Sequence, residues 1–170
     1  MPQYPPIQIV DEDDNPIKGA NLFDAYDNGL IHRIVMIIIK DTDGRMLLQK
    51  RGPNVTTHPN TWDVSAAGAV DEGEDYMTAA LRELQEEVGI TGIDLEFVDK
   101  IYAEEDVDKL KGLRRFIGIF QGLVEPDTPL TLAPDEVTGT RWMDVDAVRK
   151  LATEHPSDIA HGLETCLKYL

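Results

Sequence analysis

Three glutamates, Glu83, Glu86 and Glu87, stand within five residues of one another near the middle of the chain. If the stretch from Asp75 to Val88 is helical, then at about 100° per residue Glu87 lies about 40° from Glu83, and Glu86 about 60° on its other side. The three carboxylates then share one face. Like charges stacked at i,i+3 and i,i+4 destabilise a helix, and a hard divalent cation resolves that conflict. Carboxylate oxygens suit Mg²⁺, with Mn²⁺ as a substitute. With one cysteine in the chain and no paired histidines nearby, the residue types argue against zinc. A bland alternative is a solvated acidic face, with Arg82 as the i,i+4 partner of Glu86. The surrounding residues decide between the two.

The elements that must position these groups are legible in outline. Met77, Leu81, Leu84 and Val88 recur at helical spacing and predict one apolar stripe. Gly89 follows as a helix stop. At ideal geometry the stripe is centred well over a quarter turn from the glutamates. The helix is therefore expected to pack on a sheet while its acidic face lines a pocket. His32 to Lys40 reads as a central buried strand, Asp41-Thr42-Asp43-Gly44 as a hairpin turn, and Met46 to Arg51 as the returning strand. Ile7 to Val10, Trp62 to Ala67, Ile93 to Ile101, Arg114 to Leu123 and Thr140 to Met143 are further extended segments. Asp11 to Pro16 forms an acidic turn. Asp144 to Ala152 and Ser157 to Leu170 are expected helices, with Asp144 and Ser157 as N-caps. Residues 1–6 read as a proline-rich extended arm. Strands and helices mix without βαβ alternation, which predicts an α+β protein with a sheet sandwiched by helices.

The chain has 170 residues and a net charge of −16, from 16 Lys and Arg against 32 Asp and Glu. Its length fits one domain with a substantial core. The charge repels nucleic acid backbone and anionic lipid, so neither is an expected partner. No apolar run reaches the ~18 residues of a membrane span. No basic-then-apolar segment opens the chain, so no secretory signal is expected. A cytoplasmic protein is the simplest expectation.

The residues around the glutamates carry a resemblance. Gly68, Glu74, Arg82, Glu83, Leu84, Glu86, Glu87, Gly89 and Ile90 stand at the offsets of the Nudix signature. All nine specified positions match, and the similarity extends over roughly residues 30–145. The resemblance implies an α/β/α sandwich with a mixed sheet and a loop–helix–loop site, in a domain over residues 29–170. Residues 1–28 would be an extension whose short strand packs on that domain. It implies metal binding by Glu83, Glu86 and Glu87 with the backbone carbonyl of Ala67. Glu74 and Arg82 would tie loop to helix, an Arg–carboxylate bond that fixes a ligand's orientation. Gly68 and Gly73 would allow tight turning and close approach to phosphate. The chemistry implied is Mg²⁺-dependent attack of water on a diphosphate linkage in a small metabolite, for instance a nucleoside diphosphate derivative. Glu136, in a downstream loop, and Glu83 are both candidates for the general base. Family habit suggests a homodimer, although nothing in the sequence specifies an interface. A non-catalytic module that binds phosphometabolites is a second class, against which the intact carboxylates weigh.

Gly29 to Arg33, Leu48 to Arg51 and His58 to Ser65 resemble isopentenyl-diphosphate isomerase and its hydrolase relatives. The isomerase has a cysteine where this chain has Ala67, and a metal-binding histidine where it has Ala69. Its Glu-x-Glu pair falls in a region that here reads Leu113-Arg114-Arg115-Phe116. An alanine cannot deliver a proton, so hydrolysis is expected rather than isomerisation. Arg51, at a strand end, is expected to meet a phosphate. Of Arg114 and Arg115, strand alternation lets at most one reach a pocket. His32 is expected to be packed or substrate-contacting, not a ligand. Cys166 and Trp62 are expected in the core.

Overall fold

The computed structural model describes residues 5–107 and 110–170; positions 1–4 of the expected arm lie outside the described residues. The strands are β1 (Ile7–Val10), β2 (Pro16–Ala20), β3 (His32–Asp41), β4 (Arg45–Arg51), β5 (Trp62–Asp63), β6 (Ala66–Ala69), β7 (Leu95–Val107), β8 (Leu110–Val124) and β9 (Val137–Asp144). The helices are α1 (Leu22–Asp27), α2 (Tyr76–Val88), α3 (Val145–Glu154) and α4 (His161–Cys166).

β3 is the axis of the mixed sheet. Val35 and Ile37 to Ile39 are wholly buried, as expected of a strand covered on both faces. It pairs in parallel with β8, from His32 opposite Arg115 to Asp41 opposite Val124, and β7 folds back along β8. The alternate residues of β3 serve two cores. Val35, Ile37 and Ile39 pack with α2, while Met36 and Ile38 pack on the other face with Val148 of α3 and with Leu163 and Cys166 of α4. The result is the expected helix–sheet–helix sandwich.

The sheet opens beside its axis. β3 and β4 meet at Lys40 and Met46 and then diverge. β6 takes up the free edge of β3, from Ile34 opposite Ala69 to Ile37 opposite Ala66, while β9 and β5 pair with β4. Ser65 closes the fork. Its hydroxyl donates to the Leu47 carbonyl at 2.7 Å and accepts from the Ile39 amide at 2.8 Å, and its own amide donates to Ile37 at 3.0 Å.

Several elements depart from the sequence reading. α1, capped by Asn21 accepting from Phe23 N at 3.0 Å, and β2 were not expected. β7 and β8 run longer than predicted. Asp144 occupies the N-cap position of α3 but makes no capping bond. The single helix expected over Ser157 to Leu170 is broken into a 3₁₀ turn at Pro156–Asp158, α4, and a second 3₁₀ turn at Leu167–Tyr169. Ser157 is not its cap. The cause is a bridge from Ile159 to Trp62, with Ala160 N donating to the Trp62 carbonyl at 2.8 Å. These contacts hold the chain extended until Ala160. Cys166 is buried in the core, as expected.

Replacing Ser65 by alanine leaves a buried carbonyl and a buried amide unpaired and should cost about 1–3 kcal/mol of stability. Urea unfolding should show a lower midpoint with an unchanged slope.

Candidate active site

α2 begins where the Asp75 side chain accepts from Thr78 N at 2.7 Å, and ends at Gly89, whose φ of 76° sits in the left-handed region. Its buried residues are Ala79, Ala80, Glu83, Leu84, Glu87 and Val88, while Met77 and Leu81 stay exposed. The expected stripe is thus only half right, and the helix is rotated by roughly 80° towards its glutamates relative to that stripe. The cause is the surface it packs on. β6 reads Ala66-Ala67-Gly68-Ala69, and against so shallow a strand Ala79 and Ala80 allow close approach where Met77 and Leu81 would hold the helix off.

That rotation drives two carboxylates inward. Glu87 is 5% exposed, and its Oε2 accepts from Gln49 Nε2 at 2.7 Å and from the Ala67 amide at 3.0 Å. Both donors are neutral. Burial first, and then the neighbouring charge of Glu83, raises the Glu87 carboxyl well above the ordinary range, with Glu136 adding to the shift. Glu83 is pressed on Gly68 so closely that a Cβ there would fall 2.2 Å from its carboxyl. Burial pushes Glu83 up to about 7 against the pull of Arg82. Glu86 lies at the open rim, its side chain 59% exposed.

Arg82 binds the signature loop to the helix, as expected. It reaches Glu74 at 2.9 Å and the Ala69 carbonyl at 2.8 Å. It also donates to Glu83 at 2.6 Å and to Glu86 at 3.2 Å. Its hydrogen bond holds Glu74 below the usual carboxylate range. Gly73, with φ 85°, turns the loop and donates its amide to Gln8 of β1 at 2.9 Å.

The loop before β9 closes on the far end of the helix. Thr131 and Ala133 donate their amides to the Val88 and Glu87 carbonyls at 2.9 and 3.1 Å, satisfying C-terminal acceptors that the helix leaves open. Gly52 N donates to the Glu136 carbonyl at 2.7 Å. Glu136 is thereby brought near enough for its charge to act on both Glu83 and Glu87.

Other expected residues take other partners. Arg51 has partners within the protein: Nε donates to the Thr57 carbonyl at 3.0 Å and Nη1 to buried Asp63 at 3.2 Å. Arg114 is turned outward to Tyr102, whereas Arg115 is buried against Glu105, the alternation anticipated. Trp62 packs in the second core, with the cations of Lys50 and Arg141 about its ring. Gln49 escaped the sequence reading. Its signal was a polar residue directly after Met46-Leu47-Leu48, in phase with Leu47 and so on the face towards α2.

No three His, Cys, Asp or Glu side chains among the described residues form a ready-made metal cage. The donor set nevertheless fits a hard divalent cation. It is all oxygen, and Glu87 lies among neutral donors and two other carboxylates, with no cationic group bonded to it among the described residues.

A carboxyl raised on folding binds its proton more tightly in the native state, so the stability this lends is present at low pH and lost as pH rises through the raised value. Without divalent cations, Glu83 alone should cost on the order of 2–3 kcal/mol between about pH 5 and about pH 8. Denaturant unfolding in EDTA at the two pH values should show at least that fall, and Glu83→Gln should remove the Glu83 share while the contribution of Glu87 persists.

The NUDIX domain model matches residues 30–164. An uncharacterized Nudix hydrolase of Yersinia pestis is 30% identical over 161 residues, spanning 95% of this chain and 85% of that protein. An isopentenyl-diphosphate Delta-isomerase of Burkholderia multivorans is 31% identical over 153 residues, 88% of this chain and 83% of that protein. Among solved structures, a Deinococcus radiodurans protein superposes with a TM-score of 0.76 at 20% identity, over 96% of this chain and 97% of that one, a likeness of fold. With its signature residues gathered at one helix–sheet junction and that domain spanning most of its length, the chain belongs to the Nudix hydrolase family, in a branch whose relatives include isopentenyl-diphosphate isomerases.

Proposed function

We propose that the protein hydrolyses a diphosphate linkage in a small organic metabolite, of the nucleoside diphosphate type, with Mg²⁺ or Mn²⁺ as cofactor. The observation that carries this is Glu87, a buried carboxylate held by two neutral donors beside a second buried carboxylate. Glu83, Glu86 and Glu87 would hold the cation, with the Ala67 carbonyl beside them. A divalent cation there supplies Lewis-acid stabilisation of charge on the phosphoryl oxygens.

The chain's own groups do the rest. Gln49 and the Ala67 amide fix one oxygen of Glu87, and the other makes no hydrogen bond to the described residues. Arg82, anchored on Glu74 and Ala69, fixes Glu83. Glu136 is the better candidate for the base. Its carboxylate makes no hydrogen bond to the described residues, whereas one Glu83 oxygen is taken by Arg82. Water adds its oxygen to phosphorus, the bridging phosphorus–oxygen bond breaks, and the water's proton passes to Glu136.

Isomerisation lacks its proton donor at Ala67, where the isomerase has a cysteine, and its metal ligand at Ala69, where the isomerase has a histidine. Ala67 packs with the second core and Ala69 with Ile7, Ile9 and Ala25. A methyl group can neither exchange a proton with a carbon skeleton nor bind a metal.

Glu87→Gln should lower turnover at least about a hundredfold without loss of fold. A product-resolved screen of nucleoside diphosphate sugars, dinucleotides, nucleoside triphosphates and isoprenoid diphosphates, with Mg²⁺ or with EDTA, checks it. Cleavage that needs metal and Glu87 supports hydrolysis. Metal-independent binding without turnover would favour a non-catalytic module.

A further inference from the structure

On the sheet face away from α2, His32 of β3 and Arg115 of β8 are register partners in the parallel ladder. Paired residues of neighbouring strands project from the same face, on strands ~4.8 Å apart. His32 is fully buried and Arg115 is 9% exposed. Among the described residues His32 Nε2 and Arg115 Nε have no hydrogen-bond partner. Buried polar atoms left without a partner are unfavourable, so two of them on adjacent strands point to something that meets them both.

Its chemistry follows from the partners that are present. His32 Nδ1 lies 3.1 Å from the Leu30 carbonyl. A carbonyl only accepts, so Nδ1 carries the proton and Nε2 is a bare acceptor. Burial keeps the ring neutral, with the nearby guanidinium acting in the same direction. Arg115 pairs with Glu105, which also contacts His161 Nε2, so its charge is already balanced. An anion would meet the His32 lone pair, and a cation would meet the guanidinium. One donor and one acceptor, without net charge, match a hydroxyl, a single atom able to serve both. The Tyr26 ring, 5.4 Å from that of His32, walls one side, and the partly exposed His161 and Glu105 form the outer rim.

We propose that His32 and Arg115 form a binding site for a hydroxyl group of a small organic ligand. Its O–H donates to His32 Nε2 and its oxygen accepts from Arg115 Nε–H. The site lies two residues along β3 from Ile34, which faces Ala69 of the signature strand. It does not depend on hydrolysis, because its test reads binding in EDTA.

The test follows the imidazole nitrogens of His32 by ¹⁵N NMR in the full-length protein. Ribose 5-phosphate represents a sugar and glycerol 3-phosphate an open-chain alcohol. The controls are tetrahydrofurfuryl phosphate and ethyl phosphate, which keep the phosphate and carry no free hydroxyl. A saturable shift of Nε2 with a hydroxylated probe is expected, at least tenfold weaker for its hydroxyl-poor control and in Arg115→Lys. Which probe responds tells sugar from alcohol. An unmoved His32 with both hydroxylated probes, or equal responses from probe and control, would overturn the proposal and leave the two atoms bridged by buried water only. The probe comparison uses the unaltered chain, so it stands even if Arg115→Lys fails to fold.

Discussion

Two carboxylates buried where a helix meets a sheet are the constraint around which this molecule is built. Removing Glu83 and Glu87 from water raises their pKa values, and the charge of Glu83 raises that of Glu87 further. Ionised carboxylates in such a place need compensation by hydrogen bonds or by a cation. The fold supplies the first at Glu87 through Gln49 and the Ala67 amide, and leaves the second to the site's ligand. The opening between β3 and β4, held by Ser65, lets a β4 side chain and a β6 amide converge on one oxygen of α2.

The rest of the architecture steadies that junction. Arg82 joins loop and helix through Glu74 and the Ala69 carbonyl, and the N-terminal strands add Gln8 to Gly73 and Gly19 to Glu72. At the other end, the residues before β9 take the last carbonyls of α2 and bring Glu136 along. Elements distant in sequence thus fix the three sides of one acidic recess. Gly68 is required there for room: a methyl group would displace the Glu83 carboxyl.

Much of this was legible in the sequence. The helix limits, the central strand and the alternation of Arg114 and Arg115 follow from spacing and local propensity, and the Arg82–Glu74 clasp from the resemblance of the signature. What was not legible depends on tertiary contact. Apolar periodicity favoured Met77 and Leu81 because alanine weighs little in such a pattern, yet Ala79 and Ala80 set the packed face. The carboxylates therefore turn inward instead of lining a pocket from afar. The role of Gln49 depends on a neighbour 38 residues away. Arg51 looked free because Asp63 and Thr57 reach it only once the intervening loop has folded back. The last helix is broken by a bridge to Trp62 that periodicity cannot register.

The most direct test of the central claim, that the buried pair is completed by a divalent cation, is a Mn²⁺ titration followed by electron paramagnetic resonance. It would compare the native chain with Glu83→Gln and Glu87→Gln at matched folding. One saturable site, weakened at least about tenfold by either substitution, is the result this structure predicts. Equal Mn²⁺ affinity in all three proteins would contradict it, because the two buried carboxylates would then not be the groups that hold the metal.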